Sequence, residues 1–108
     1  MAKRKAVETA IISMIMDYCD EHDILFSRNH PVHIVSRGGK TMFAKVRSSE
    51  KGKADLFIFV GRVGVVACEV KSEKGVQSDD QIAWQKKWES LSRRYIVVRS
   101  LQDFVAKL

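Results

Sequence analysis

Apolar residues at the start of the chain recur at the spacing of one helical face: Val7, Ala10, Ile11, Met14, Ile15 and Tyr18. That period predicts an amphipathic helix over 5–20, ended by the polar stretch that follows. Segments 33–36 and 41–46 flank Arg37-Gly38-Gly39-Lys40, whose glycines tolerate positive φ, so a β-hairpin is expected there. Segments 55–60 and 65–71 are apolar, β-branched and aromatic runs around Gly61-Arg62-Val63-Gly64. They predict a second hairpin at the centre of a sheet. Ser78, followed by Asp79, Asp80 and Gln81, has the pattern of a capping box. It opens a predicted helix to about Leu91 that buries Trp84, Trp88 and Leu91 on one stripe. A short strand over 95–98 and a last helix capped by Ser100 complete the order α-β-β-β-β-α-β-α. The fold class expected is α/β, a mixed sheet flanked by helices, as a single domain over residues 1–108.

Composition narrows the function classes. Hydrophobic residues make up 45% and charged residues 30%, the balance of a globular chain rather than a disordered one. The longest apolar run, Leu56–Val60, falls far short of the roughly 18 residues a membrane span needs. Cys19 and Cys68 fit neither a CxxC pair nor a disulfide framework and read as small buried hydrophobes in a reduced, intracellular setting. No Walker loop, nucleophile elbow or dinucleotide fingerprint is present. His22, His30 and His33 lack zinc-ligand spacing.

The charge is uneven. Nineteen Lys and Arg stand against 13 Asp and Glu, a formal net charge of +6. Within 27–53, Arg28, Arg37, Lys40, Lys45, Arg47, Lys51 and Lys53 face a single acid, Glu50. Such a basic stretch is the footprint of a nucleic-acid binder, the alternative being a solvated surface.

The chemistry gathers around Asp55 and Glu69-Val70-Lys71. Alternation along a strand points Glu69 and Lys71 the same way, and Asp55 opens the preceding strand. If the two carboxylates come level, their mutual repulsion is relieved by a divalent cation. Mg²⁺ takes one or two carboxylates and accepts a phosphate oxygen, and a bound metal makes a nucleophile of its water. The alternative is a solvent-facing cross-strand ion pair worth well under ~1 kcal/mol. Register decides between them. A two- or four-residue turn would set Asp55 against Val70, facing away from Glu69; a three- or five-residue connection, or a bulge, brings the carboxylates together.

The spaced set Gly52-Lys53-Ala54-Asp55, Glu69-Val70-Lys71 with Gly75 after it, and Gln81 opening a helix resembles the VRR-NUC family of the PD-(D/E)xK nuclease superfamily. The resemblance spans roughly residues 6–100. One departure is Ala54, where the family usually has proline. It implies a restriction-endonuclease-like core of order α-β-β-β-α-β. It also implies that Asp55 and Glu69, with the Val70 carbonyl, bind Mg²⁺ or Mn²⁺. Lys71 would orient or deprotonate the attacking water or hold charge on the phosphate, and Gln81 would reach the site from its helix. Glu8 matches a first-helix glutamate of the family; as a helix N-terminal acid it has a dipole explanation too.

The expected function is metal-dependent hydrolysis of DNA phosphodiesters by a stand-alone enzyme of the phage or bacterial type, working in the cytoplasm. The alternatives are a non-catalytic nucleic-acid-binding domain on the same fold and a structural α/β subunit. Arg37, Lys40, Lys45, Arg47, Lys53 and Lys74 are the expected DNA contacts, and the loop carrying Glu73, Lys74 and Gly75 is expected to be mobile. A homodimer on branched DNA, in the manner of Holliday-junction resolvases, would enlarge the small footprint of one protomer. Ile12, Met16, Leu101, Phe104, Val105 and Leu108 are its candidate interface, unless the core takes them.

Overall fold

Two runs too apolar to face water, Leu56–Val60 (β4) and Gly64–Val70 (β5), pair antiparallel at the centre of the computed structural model. The structure describes residues 2–29, 34–37, 40–43 and 50–108. On one side of this pair Leu25–Arg28 (β1) runs antiparallel to β4; on the other, Tyr95–Val98 (β6) runs parallel to β5. The result is a mixed four-stranded sheet of order β1-β4-β5-β6. The expected first hairpin is present as Ile34–Arg37 (β2) and Lys40–Phe43 (β3). It forms a separate two-stranded sheet and adds no strand to the main one.

Alternation along β4 and β5 gives the sheet two apolar faces. Leu56, Ile58, Val66, Cys68 and Val70 lie on the face covered by helix α1 (Ala2–Glu21) and helix α3 (Leu101–Lys107), with Phe104 fully buried between them. Ala54, Phe57, Ala67 and Tyr95 lie on the other face, under Trp84 and Trp88 of helix α2 (Asp79–Ser90). The capping box forms as the sequence predicts: Ser78 Oγ accepts the Gln81 N–H, and Gln81 Oε1 accepts the Ser78 N–H. Ser100 caps α3 by accepting the Asp103 N–H. Among the described residues, no helix is long and apolar enough to cross a membrane.

Several expectations need correction. Strand β1 has no counterpart in the predicted order, because an edge strand with one covered face carries few apolar residues and Leu25 is exposed. The buried line of α1 is Ile11, Ile12, Ile15 and Cys19, while Val7 and Met14 face outward. The line facing the sheet is therefore turned toward Glu8. Leu91 is 66% exposed, because α2 has already ended there and its indoles alone reach the sheet. Of the six candidate interface residues, Ile12 and Phe104 are buried in the core, and Met16, Leu101 and Leu108 pack against it. Val105 alone of that set stays exposed.

Gly52 is where the segment ahead of β4 touches α2. Its φ is +77°, and a Cβ there would lie 2.1 Å from the Asp80 carbonyl oxygen and 2.6 Å from the Gln81 nitrogen. Backbone meets backbone, so nothing soft is available to yield. Gly61, with φ +37°, would place a Cβ in open space. Gly52→Ala is expected to lower the melting temperature by clearly more than Gly61→Ala. The latter meets only the dihedral penalty of roughly 1–2 kcal/mol. Equal melting temperatures for the two variants, by calorimetry, would contradict the close approach.

Candidate active site

Turn length sets the geometry. A three-residue 3₁₀ turn, Gly61–Val63, joins β4 to β5 with Val60 opposite Gly64 and Leu56 opposite Cys68. Continued by one residue, that register puts Asp55 across from Glu69, the parity that brings the two carboxylates onto one face. Asp55 Oδ2 accepts the Val70 N–H at 2.7 Å. The backbone behind Asp55 is held by Asn29, which follows β1: its N–H donates to the Asp55 carbonyl at 2.8 Å and its Nδ2 to the Ala54 carbonyl at 3.0 Å.

Glu69 is 1% exposed at the end of β5. Its Oε2 accepts from Gln81 Nε2 at 2.7 Å and lies 3.7 Å from Lys71 Nζ. Its Oε1 is buried with no hydrogen-bond partner among the described residues. Gln81 thus does two things at once, closing the cap of α2 with one end of its amide and holding Glu69 with the other. Lys71, two residues along the same strand and 9% exposed, supplies the ammonium.

Glu8 reaches the same end of the sheet from α1. Its Oε2 accepts the Ser72 N–H at 3.1 Å, and a Cβ on Gly75 would stand 3.3 Å from that oxygen. The chain leaving β5 is fastened by Arg99. Its guanidinium donates to the carbonyls of Ser72 at 2.6 Å, Glu73 at 3.2 Å and Gly75 at 2.7 Å. The loop expected to be mobile is therefore tied down at three carbonyls, although Lys74 itself is exposed. Asn29 and Arg99 escape sequence reading, since neither belongs to a motif and both act on backbone brought close by folding.

The electrostatics are unbalanced. Burial, then the charge of Asp55, push the Glu69 carboxyl up to about 8; Lys71 opposes this and Glu8 adds to it. Asp55 is also raised, first by burial and then by Glu8, against the Val70 N–H, Lys71 and Arg28. Burial, reinforced by both carboxylates, raises the Cys68 thiol and so disfavours its thiolate.

Among the described residues, no group of three or more His, Cys, Asp or Glu side chains could hold a metal ion. A Mg²⁺ site asks for less, one or two carboxylates with waters and substrate oxygens completing the shell. The unpartnered Glu69 Oε1, level with Asp55, is the feature such an ion would fit. Of the other predicted residues, Arg37 and Lys40 pair across the β2–β3 hairpin, whereas Lys45 and Arg47 lie outside the described residues. Lys53 is half-buried, 4.0 Å from Glu50 and with its ammonium over the Phe57 ring. His22 bonds the Tyr18 carbonyl and stacks on that ring. Compared with protein-family models, curated proteins and solved structures, the chain matches none.

A carboxyl that holds its proton more tightly folded than unfolded makes the native state bind more protons. Its contribution to stability therefore falls as pH rises from the ordinary 4.5 to about 8. In metal-free buffer the melting temperature of the wild type should drop across that interval, while Glu69→Gln should flatten the dependence. A wild-type profile parallel to that of Glu69→Gln would show that Glu69 is not held in this state.

Proposed function

We propose that this chain is a metal-dependent nuclease that hydrolyses DNA phosphodiesters, on a PD-(D/E)xK core of the VRR-NUC type. The observation that carries the reading is the convergence of Asp55, Glu69, Lys71 and Gln81 at one sheet end, with a buried Glu69 oxygen left unpartnered. The fold lends support. With the β2–β3 hairpin set aside, the chain runs α1-β1-β4-β5-α2-β6, the order the sequence resemblance implies.

In this reading Asp55, Glu69 and the Val70 carbonyl hold Mg²⁺ or Mn²⁺, which when bound supplies Lewis acidity at the phosphate and an activated water. Lys71 orients that water or stabilises charge on the phosphoryl oxygens. Gln81 fixes the Glu69 carboxylate through one oxygen and leaves the second for the cation. Glu8 holds the Ser72 N–H and adds negative charge that favours a cation. Arg37, Lys40, Lys45, Arg47, Lys53 and Lys74 contact the DNA backbone. A homodimer acting on branched DNA belongs to the proposal on the argument of footprint, the apolar residues offered for it having gone largely into the core.

A non-catalytic nucleic-acid-binding domain is the competing reading. It draws on the absence, among the described residues, of a three-side-chain metal group. Cleavage separates them. With Mg²⁺ or Mn²⁺, the wild type should cut DNA, four-way junctions faster than linear duplex. Asp55→Ala, Glu69→Ala and Lys71→Ala should each lose roughly 100-fold or more, the scale reached when a group that holds the metal or handles the proton of the water is lost, while still binding. DNA bound but uncut under every metal tried would establish the competing reading.

The basic stretch makes a separate prediction. Replacing Arg37, Lys40, Lys45 and Arg47 together should weaken duplex binding and flatten its salt dependence. The slope of log K against log salt should fall by about 0.9 for each phosphate contact removed. An unchanged slope would take these residues out of the interface.

A further inference from the structure

Helix α2 presents a second surface beside the carboxylates. Trp84 and Trp88 stack on one another at 5.2 Å between centroids and 16° between planes, and Phe57 lies parallel to Trp88 at 5.1 Å and 9°. Sheet packing accounts for one side of these rings. Among the described residues, both indoles line a groove of about 400 Å³ with Lys51, which lies ahead of β4, and with Leu91 and Ala83 on its apolar wall. That volume lies in the range of small-molecule sites.

The rim is mostly cationic. Lys51 and Lys87 line the groove, with Asp80 as the acid among its lining residues. Arg93 lies over the Trp88 ring at 5.6 Å and Lys53 over Phe57 at 5.7 Å. Flat indole faces lined by two ammonium groups suit a ligand with a π-face and a phosphate. A helix of another protein would need apolar anchors matched to the groove and acids placed opposite the lysines, whereas a nucleotide carries a flat ring and a negative charge in one unit.

Position adds a second argument. Asp80 lines the groove and its neighbour Gln81 holds Glu69. Gly52 packs on the backbone of both, with Lys51 next to it and Asp55 three residues on. Groove and carboxylate site therefore share one wall.

We propose that this groove takes an unpaired nucleobase of a DNA strand, stacked on Trp84 and Trp88, with the flanking phosphates held by Lys51 and Lys87. It rests on the nucleic-acid part of the function proposed above and specifies the substrate as DNA with an unpaired base beside the scissile bond. Stacking of this kind is tolerant of sequence and strengthens binding about tenfold per base.

The chain has two tryptophans, and both line the groove, so fluorescence excited selectively at tryptophan reports on this surface. The experiment uses the full chain in EDTA and titrates it with oligo-dT or with an abasic oligomer of equal length. Binding is followed independently by the anisotropy of an end label. Oligo-dT should quench the fluorescence saturably and bind about tenfold more tightly than the abasic strand. Ala83→Gln, a neutral change at an exposed helix position, should abolish that preference and leave abasic binding as it was. Trp84→Phe, which keeps a ring, should retain part of the preference. Binding of dT with fluorescence unchanged, or equal affinity for dT and the abasic strand, would overturn the proposal. So would light scattering that shows a dimer dispersed by Ala83→Gln, since the groove would then be a contact between copies. Base-dependent quenching by a protein that cuts no DNA would refute the nuclease and leave the groove assignment standing. Cleavage without base preference would do the reverse.

Discussion

A carboxylate at 1% exposure has lost almost all its hydration, and most of what meets at the end of β5 responds to that loss at Glu69. Desolvating an ion costs several kcal/mol unless partners replace the water. Gln81 and Lys71 replace part of it, both at Oε2. Asp55 and Glu8 work the other way, since their charges raise the proton affinity of Glu69. Two acids crowd a third around one buried ammonium. An arrangement selected only for stability would resolve the imbalance by substituting apolar side chains of similar volume, often at no loss. A site left short of positive charge is one that takes up a proton or a cation, and such imbalance concentrates where chemistry is done.

Holding that imbalance in place requires a rigid frame, and the frame is mostly backbone. The three-residue turn at Gly61–Val63 fixes which face Asp55 shares with Glu69. Asn29 fastens the Ala54 and Asp55 carbonyls from one side, and Gly52 lets the same segment touch α2 on the other. Arg99 draws three carbonyls of the loop after Lys71 toward β6, leaving Ser72 N–H for Glu8. Each of these acts on the main chain of an acidic or basic residue's neighbours, so the side chains at the site inherit their positions.

What could be read beforehand follows from this division. Strong local signals survive folding: the apolar runs of β4 and β5, the Ser78–Gln81 cap and the Ser100 cap all stand as the residues suggest. Glu69 and Lys71 were legible as a same-face pair because strand alternation is a local rule. Register was not, because Gly61-Arg62-Val63-Gly64 admits more than one turn length; the 3₁₀ turn selects the parity that places Asp55 level with Glu69. Strand β1 and the outward turn of Val7 and Met14 depend on what covers them, which no window of sequence contains. Asn29 and Arg99 were silent for the same reason, their partners being backbone atoms 24 to 27 residues away in the chain.

Helix α2 ties these levels together. Its first turn needs a side chain at the third position to close the cap, and Gln81 fills that need with its carbonyl oxygen while its amide nitrogen goes to Glu69. A glutamate would close the cap equally well but would bring a fourth negative charge to the carboxylates; a neutral donor is what the site can accept. One turn on, Trp84 and Trp88 hold the helix to the sheet through Phe57 and set its rotation, hence the direction in which Gln81 points. The rings that anchor the helix therefore also orient the group that orients Glu69.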